Sequence, residues 1–468
     1  MAQAQSEIQP PRLPMIVQPQ NRNDDTLKDA KLINGFVEKT ELTEEYHIYK
    51  RPGLEQTGST LSGNGYGVYN WLGDIYSIFG SVLYKNGVSV GTGLDTTGGI
   101  YRFSQSLGAT LRLQLGNGVG SYNYDPSAGL VAMTGANFPT SPVKGIAYLD
   151  GTTYVMDVTA SIRGCTTIND PTVWTDVLNR ISAQIEADNG VALAKQLVYI
   201  LALGQWSTEV FYDQQNAVAS PLGPVQGAKV NYGCANANTV QEIDGALLWV
   251  ATNRGAAAQV ILLDNLKSTI VSTKAIERLL GEADLSSMYS FGIKYEGHRF
   301  YGLTLITKNI TLVYDMTDKM WMQWTDANGD YWPIVSTTFS TSLGRILQHA
   351  TNGKLYRFDV SYTTDDGALF PVDIYTPNFD GQSKRRKALS MLEIVADQTE
   401  GSILQIRHND HDYTQDKWTN FRSLNLNQRK PFLQGEGTFL RRAYHFRHFC
   451  NTRFRIKAVE MQMDTGVL

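Results

Sequence analysis

The sequence predicts an all-β protein: a β-propeller of about six blades, preceded by an extended N-terminal arm and followed by a C-terminal β-sandwich-like domain. Composition is the first observation behind this fold class, because 42 of the 468 residues are Gly and 24 are Tyr, while only 18% are charged. Such a mixture favours turns and strands over long exposed helices. The second observation is a pattern of strand ends that recurs between residues 70 and 360.

Each recurring strand end is an aromatic or apolar residue followed by Asp or Lys. The pairs are Tyr84-Lys85, Tyr124-Asp125, Met156-Asp157, Tyr212-Asp213, Leu263-Asp264, Tyr314-Asp315 and Phe358-Asp359. Their mean spacing of about 46 residues matches a four-stranded propeller blade. One twisted sheet cannot bury both faces alone, and radial stacking covers each face with the next sheet. A stacked β-sandwich is the competing interpretation of this region.

Domain boundaries follow from changes in this pattern. Residues 1–60 form the predicted arm and platform segment, 61–360 the propeller, and 361–468 the C-terminal β-rich domain. Within the propeller we interpret Thr311–Trp324 as the outer hairpin of one blade. Helical spacing of apolar residues predicts two surface helices, over 174–187 and 272–283, the second with Ser or Thr at its start.

Composition and charge exclude several classes of protein. The longest apolar run has about eight residues, too short to span a membrane, and the start carries no readable secretory signal. Three cysteines, Cys165, Cys234 and Cys450, are too few and scattered for a disulfide framework or zinc site. Residues 381–468 carry 15 Lys+Arg against 9 Asp+Glu, yet the whole chain has a net charge of −4. A pI of about 6.0 argues against tight DNA binding by the whole chain.

Four segments have the residue types of chemical sites, and each has a simpler structural interpretation. His408, Asp410, His411 and Asp412 suggest a metal but lie between two predicted strands, which favours a hairpin loop. The segment 325–332 resembles part of a calcium loop yet lacks its Glu, which favours a turn. His445 lies on the opposite strand face from His448 and Cys450, so these groups should not converge. We expect no catalytic residue, no metal and no cofactor.

Two segments are candidate interfaces. The apolar segment of the arm can anchor on a neighbouring surface, and the densest basic run can meet an acidic partner or phosphate, although a solvated loop explains it equally well. The candidate interface residues are Leu13, Met15, Ile16, Lys384, Arg385, Arg386 and Lys387.

The order of several segments resembles the tail hub, or nozzle, protein of short-tailed bacteriophages, the packaged-DNA stabilisation family. The matching pieces are "LPMIV", "LINGFVEK", "YHIYKRPGL", "IYSIFGSVLYKNGV", "LALGQWSTEVFYD" with Ser207, Thr208 and Glu209, "STKAIERLL", "ITLVYDMTDKMWMQW" and "YTPNF". They run over most of the chain, and the segment 100–200 fits least well.

This resemblance implies a non-enzymatic virion protein of the tail that is assembled in the host bacterial cytoplasm. It implies a homohexameric ring below the portal and its adaptor, which closes the channel after genome packaging. Tail fibres or tailspikes on the flank and a needle or plug at the tip are the further implied partners. Double-stranded DNA would pass without sequence-specific binding.

Two other functions compete with the hub. A receptor-binding or glycan-hydrolysing tail module would need a cleft with paired carboxylates, for which the sequence has no motif. A cellular propeller scaffold would be expected to carry regular Trp-Asp or kelch signatures, which the sequence lacks.

Overall fold

The computed structural model describes residues 12–15, 29–40 and 45–466, which form two compact units. The terminal unit contains the described residues of Met1–Glu55, Ile310–Tyr331 and Asp359–Leu468. The propeller unit contains Gln56–Asn309 and Trp332–Phe358. The division at residues 60 and 360 remains a prediction about independently folding domains.

Four strands precede the first blade: β1 (Lys31–Ile33), β2 (Gly35–Lys39), β3 (Tyr46–Lys50) and β4 (Gly53–Thr57). Five four-stranded antiparallel sheets then follow in chain order. Sheets 1 to 3 are formed by β5 (Gly65–Trp71), β6 (Asp74–Phe79), β7 (Val82–Lys85) and β8 (Val88–Thr92); by β9 (Arg102–Ser106), β10 (Arg112–Gly116), β11 (Ser121–Asp125) and β12 (Gly129–Ala132); and by β13 (Ala147–Leu149), β14 (Thr152–Met156), β15 (Ser161–Gly164) and β16 (Arg180–Ser182).

Sheets 4 and 5 continue the meander, and two smaller sets of strands complete the unit. Sheets 4 and 5 are formed by β17 (Gly190–Gln196), β18 (Tyr199–Gly204), β19 (Thr208–Asp213) and β20 (Leu222–Pro224), and by β21 (Gln241–Ile243), β22 (Ala246–Asn253), β23 (Ala256–Asp264) and β24 (Lys267–Ile270). Sheet 6 contributes β25 (Met288–Tyr295) and β26 (His298–Leu305) to this unit. After the hairpin β27 (Ile310–Asp315) and β28 (Met320–Trp324) of the terminal unit, sheet 7 contributes β29 (Ile334–Ser340), β30 (Gly344–His349) and β31 (Leu355–Asp359).

The seven sheets form a closed ring, which confirms the predicted propeller and gives one sheet more than the estimate of six. Apolar side chains from neighbouring sheets share common clusters: Trp71 and Tyr76 of sheet 1 pack with Tyr124 of sheet 2. Sheets 3 and 4 share a second cluster, and sheets 4 and 5 a third. Five of the seven predicted strand ends close the third strand of a sheet, β7, β11, β19, β23 and β31. Met156 ends the second strand of sheet 3, and Asp315 ends β27 of the terminal unit.

Buried amide side chains also join neighbouring sheets. Gln196 of sheet 4 donates to the carbonyl oxygens of Gly245 and Leu263 of sheet 5, at 3.0 and 2.9 Å. Gln348 closes the ring between the last sheet and the first. Its Oε1 accepts from the Gly67 N–H at 2.6 Å, and its Nε2 donates to the Ile78 carbonyl at 2.8 Å.

Of the two predicted helices, one is confirmed and the other is wrong. The helix α1 (Lys274–Glu282) begins at the N-cap Thr273 and buries Ile276, Leu279 and Leu280 as the spacing predicts. No helix forms over 174–187, which contains turns and β16. There the Asp176 carboxylate accepts the Leu178 N–H and Thr166 Oγ1 accepts two more backbone N–H groups, so side chains bind the backbone in a non-helical path. The other helical turns among the described residues are 3₁₀ turns at Ala237–Thr239, Leu285–Ser287, Ile306–Lys308 and Gln415–Lys417.

The terminal unit contains two sheets. Its C-terminal strands are β32 (Val372–Tyr375), β33 (Lys387–Ala396), β34 (Ile403–Asn409), β35 (Arg422–Asn425), β36 (Phe432–Gln434), β37 (Thr438–Phe439), β38 (Ala443–His448) and β39 (Arg455–Thr465). One sheet has the order β27-β28-β1-β32-β38-β34-β35 within this unit, and the other has β2-β3-β39-β33-β36 with β37 beside β33. The predicted hairpin is present, with Thr311 opposite Trp324, and β28 pairs in parallel with β1.

The buried guanidinium of Arg51 joins three separate segments of the terminal unit. Its side chain is 0% exposed and forms an ion pair with Asp365 at 2.6 Å. Arg51 also donates to the Asn34 side chain at 3.0 Å and to the Thr325 carbonyl at 2.9 Å. Asn34 in turn donates to Thr325 Oγ1 at 2.7 Å, so the polar groups of all three segments satisfy one another.

Replacing Gln348 by Ala should destabilise the propeller by about 2–4 kcal/mol, because two buried backbone groups then lose their partner. Urea unfolding measures the change in the free energy of unfolding. The matched control is Gln226→Ala, since Gln226 is exposed in a loop of the same unit. Equal effects of the two substitutions would contradict a role for Gln348 in closing the ring.

Candidate functional site

The first strands of sheets 1 to 5 surround a cavity of about 620 Å³ on the axis of the propeller unit. Residues from β5, β9, β13, β17 and β21 line it, together with Lys144–Ile146 and the 3₁₀ turn at Ala237. The stacked rings of Tyr69 and Phe103, 5.3 Å apart, form part of the wall. Glu242 is the one carboxylate among the residues that line this cavity, and its Oε1 accepts the Gly245 N–H at 3.2 Å.

Arg102 and Lys144 enter this cavity from neighbouring sheets, and a third cation, Lys195 of β17, also lines it. Arg102 Nη2 donates to the carbonyl oxygens of Ala237 and Asn238 at 3.2 and 3.0 Å. Lys144 Nζ donates to the side-chain oxygen of the same Asn238. Burial lowers the pKa of Arg102 to about 10. Burial, and then the nearby Arg102 charge, lower the pKa of Lys144 to about 7.

Gly145 brings the Lys144 backbone close to β17. The Leu193 N–H donates to the Lys144 carbonyl at 2.9 Å. Gly145 has φ of +112°, and a Cβ there would lie 1.8 Å from the Leu193 carbonyl oxygen. Only glycine fits this approach, so the position of Lys144 in the cavity depends on it.

A second cavity, of about 510 Å³, lies among the first strands of sheets 5, 6 and 7. Its charged groups are partnered: Lys294 Nζ lies 2.7 Å from Asp244 Oδ1. Arg345 lies over the rings of Tyr295 and Phe339, at 5.1 and 5.5 Å. Here the cations already have carboxylate or aromatic partners, in contrast to the first cavity.

The four residues of the predicted basic interface differ in exposure. Lys384, Arg385 and Arg386 are exposed between β32 and β33. Lys387 is instead buried, and its Nζ donates to the carbonyl oxygens of Asp380 and Ser383, each at 2.6 Å. Burial lowers the pKa of Lys387. Lys387 therefore fixes the turn that presents the three exposed cations.

The predicted apolar interface of the arm packs within the terminal unit. Leu13 and Met15 are buried, and the Leu13 N–H donates to the Val459 carbonyl at 2.9 Å. Arg12 beside them forms ion pairs with Glu45 at 2.7 Å and Glu460 at 3.3 Å. Ile16 lies outside the described residues. A contact of this segment with a neighbouring subunit stays a prediction.

The segment 408–412 contains the end of β34 and the start of the predicted hairpin loop, and its charged residues bind different partners. Asp410 accepts two hydrogen bonds from the buried Arg442, at 2.7 and 2.9 Å. His408 Nδ1 lies 3.3 Å from Glu436 Oε2, whereas Asp412 accepts from Asn378 at 2.7 Å. The predicted turn at 325–332 is also present, with Asp326 Oδ1 accepting the N–H groups of Asn328 and Asp330.

His445 and His448 do not converge, as the strand alternation of β38 predicts. His445 Nε2 lies 2.7 Å from Asp373 Oδ1, and its ring stacks on Tyr375 at 3.9 Å. Arg447 also donates to Asp373. The contacts with His445 and Arg447 hold the pKa of Asp373 below its usual range despite burial.

His448 lies in a separate buried environment. Its Nε2 lies 3.0 Å from Ser402 Oγ and 3.1 Å from Thr452 Oγ1. Burial, with the nearby Lys50 charge, lowers the pKa of His448 to about 3. The ring is therefore neutral at physiological pH.

Sequence reasoning missed Arg102 and Lys144. Each is a single cation in an ordinary strand or turn segment, "YRFSQS" and "SPVKG", which carries no motif. The available signal was a cation at the inner strand of a predicted blade. That signal requires the blade boundaries in the segment 100–200, where the repeat is least regular.

Residues 23–350 match the family described as "Bacteriophage P22 Gp10, beta-propeller". The chain belongs to this family. The match covers more than two thirds of the chain and includes most of the propeller unit. This protein is therefore a structural protein of the bacteriophage tail, and its propeller agrees with the family description.

Several solved propeller structures are similar in outline. They include virginiamycin B lyase from Staphylococcus aureus, with 8% identity, a TM-score of 0.43, and 66% of this chain and 99% of that chain covered. YCF48 from Cyanidioschyzon merolae has 10% identity, a TM-score of 0.42 and coverage of 66% and 99%. Similarity at this level carries no information about ligands or activity. Among curated proteins, none matches this chain.

The described residues contain no helix that is long and apolar enough to cross a membrane.

Replacing Arg442 by Met should destabilise the terminal unit by about 3 kcal/mol, because Asp410 and the Glu436 carbonyl lose a buried partner. The neighbouring Arg441 is exposed, and Arg441→Met should change the free energy of unfolding by less than about 0.5 kcal/mol. Urea unfolding of both variants checks this difference. Comparable losses would show that the buried ion pair adds no specific stability.

Acidification should destabilise the protein through His448. The unfolded chain binds a proton at this ring near pH 6.5, whereas the folded protein binds it only near pH 3. Stability is thus lost as pH falls from about 6.5 towards 3, by up to about 1.4 kcal/mol per pH unit. The measurement is urea unfolding at several pH values for wild type and His448→Gln.

In His448→Gln, the slope of the free energy of unfolding against pH should be smaller by the contribution of one bound proton, up to about 1.4 kcal/mol per pH unit. His411→Gln, at an exposed histidine, is the control and should keep the wild-type slope. A wild-type slope in the His448 variant would refute the assignment.

Proposed function

We propose that this tail protein is the hub, or nozzle, that joins below the portal and its adaptor as a homohexameric ring. In this role it forms part of the channel for DNA ejection and retains the packaged genome. It also anchors tail fibres or tailspikes and the needle. The observation that carries the proposal is the family match over residues 23–350, which coincides with a closed propeller.

The packing of the propeller unit supports a role in which the protein must resist force. Every sheet contributes side chains to a cluster shared with another sheet, and Gln348 joins the last sheet to the first. Opening such a ring at one interface exposes two apolar faces at once, so the unit should resist local unfolding. A component that holds back packaged DNA needs this resistance.

The charge distribution supports passage of DNA without tight binding. Each phosphate neutralised by Lys or Arg adds affinity, and the net charge of −4 limits such contacts. Lys384, Arg385 and Arg386 form the exposed part of a basic segment. We assign this segment to contacts with an acidic surface of a neighbouring subunit or of the adaptor.

The receptor-binding or glycan-hydrolysing module remains the alternative proposal. It predicts glycan binding or cleavage by the isolated protein. The assembly experiment below separates the two functions.

The charge-reversed protein Lys384→Glu, Arg385→Glu, Arg386→Glu should fold normally but form the ring on portal–adaptor assemblies at least tenfold more weakly than wild type. The reason is that three attractive charges at the interface become repulsive. The matched control reverses three other exposed cations, Lys417→Glu, Arg429→Glu and Arg441→Glu. Negative-stain microscopy and sedimentation of each protein, alone and with the assemblies, measure ring formation.

A six-fold ring for wild type and the control, lost in the first variant, supports both the hub and the assigned surface. A ring in all three proteins supports the hub and refutes this surface. A wild-type protein that ignores the assemblies and binds or cleaves glycans would refute the hub.

A further inference from the structure

Lys195, which also lines the cavity, donates to the Tyr148 carbonyl at 2.7 Å. Arg102 and Lys144 share the cavity with it, and within the described residues no carboxylate is bound to either. All their hydrogen bonds within the described residues go to uncharged oxygens of Ala237 and Asn238. Two other arginines of the same sheets are paired with carboxylates. Arg112 lies 2.9 Å from Asp170, and Arg163 lies 2.9 Å from Asp157.

The two unpaired cations are also close to each other. Both donate to Asn238, Arg102 to its carbonyl and Lys144 to its side chain. Like charges held near one neutral amide in a protein-walled cavity repel, and burying them without a counter-ion costs free energy. The depressed pKa of Lys144 is a consequence of this arrangement.

The cations retain unused hydrogen-bond donors. Arg102 uses only Nη2 among the described contacts, which leaves Nε and Nη1. Lys144 has three N–H groups and gives one to Asn238. The open volume of about 620 Å³ adjoins these donors, and it is ample for a small ligand.

We propose that the axial cavity of the propeller unit binds a phosphate group between Arg102 and Lys144. A tetrahedral dianion has several oxygens, so it can accept from both cations and neutralise both charges, whereas one carboxylate neutralises only one. The phosphate is either free phosphate or that of a mononucleotide. For a mononucleotide, the base would stack on the aromatic pair of Tyr69 and Phe103 in the wall of the same cavity.

The test is isothermal titration calorimetry of the full chain at pH 7, where a phosphate monoester is mostly dianionic. The titrants are inorganic phosphate and 2′-deoxyadenosine 5′-monophosphate. Wild type should bind at least one of them with a Kd below about 1 mM. Lys144→Gln and Arg102→Gln should each weaken binding at least about tenfold. Lys144→Arg should preserve it, because the charge remains.

Lys267→Gln is the matched control. Lys267 is exposed on β24 at the outer edge of sheet 5 and away from the cavity lining, so this substitution should leave binding unchanged. Urea unfolding of each variant establishes that it is folded. If Arg102→Gln does not fold, the comparison of Lys144→Gln with Lys144→Arg still decides the matter.

The titrants distinguish the two sources. Tighter binding of the nucleotide, reduced by Tyr69→Leu, would identify a nucleotide site. Equal binding of both, unaffected by Tyr69→Leu, would identify a free phosphate site. Absence of binding by folded wild type, or unchanged binding by folded Lys144→Gln, would overturn the proposal. None of these outcomes depends on hub assembly.

Discussion

Each sheet of the propeller has two apolar faces, and the remaining features of this unit follow from the need to cover both. Neighbouring sheets supply that cover, so the side chains of sheets 1 and 2, 3 and 4, and 4 and 5 merge into shared clusters. The arrangement works only when the last sheet meets the first. Gln348 stabilises this closing interface, because it forms hydrogen bonds with two backbone groups of sheet 1.

Closure also creates the axial cavity. The first strand of each sheet faces the axis, and some of its side chains line the cavity instead of packing in the clusters between sheets. Polar and charged groups can be placed at this position without disturbing the clusters between the sheets. Arg102 and Lys144 use it, and Gly145 allows the segment with Lys144 to lie against β17. The same geometry that closes the ring thus leaves a cavity of about 620 Å³ lined by these groups.

The terminal unit obeys a different constraint, since three separate chain segments must meet in it. The buried Arg51 satisfies this requirement by binding Asn34, Thr325 and Asp365. In the C-terminal strands, Arg442 with Asp410 repeats the pattern of a buried cation and a carboxylate, whereas in the pair Arg447–Asp373 it is the carboxylate that is buried. The excess of basic residues in 381–468 is consequently not all surface charge. Lys384, Arg385 and Arg386 stay exposed, whereas Lys387 is used internally.

The sequence by itself determined the all-β class, the propeller repeat, the helix α1, the turn at 325–332 and the hairpin loop at 408–412. These depend on local spacing, turn residues and strand ends, which act within a few residues. Only the tertiary structure decided the number of sheets and the path of 174–187, where bonds from Thr166 and Asp176 replace helical ones. It also decided that Lys387 is buried and that Arg102 and Lys144 share a cavity. Such facts depend on contacts between residues far apart in the chain, and spacing along the sequence does not encode them.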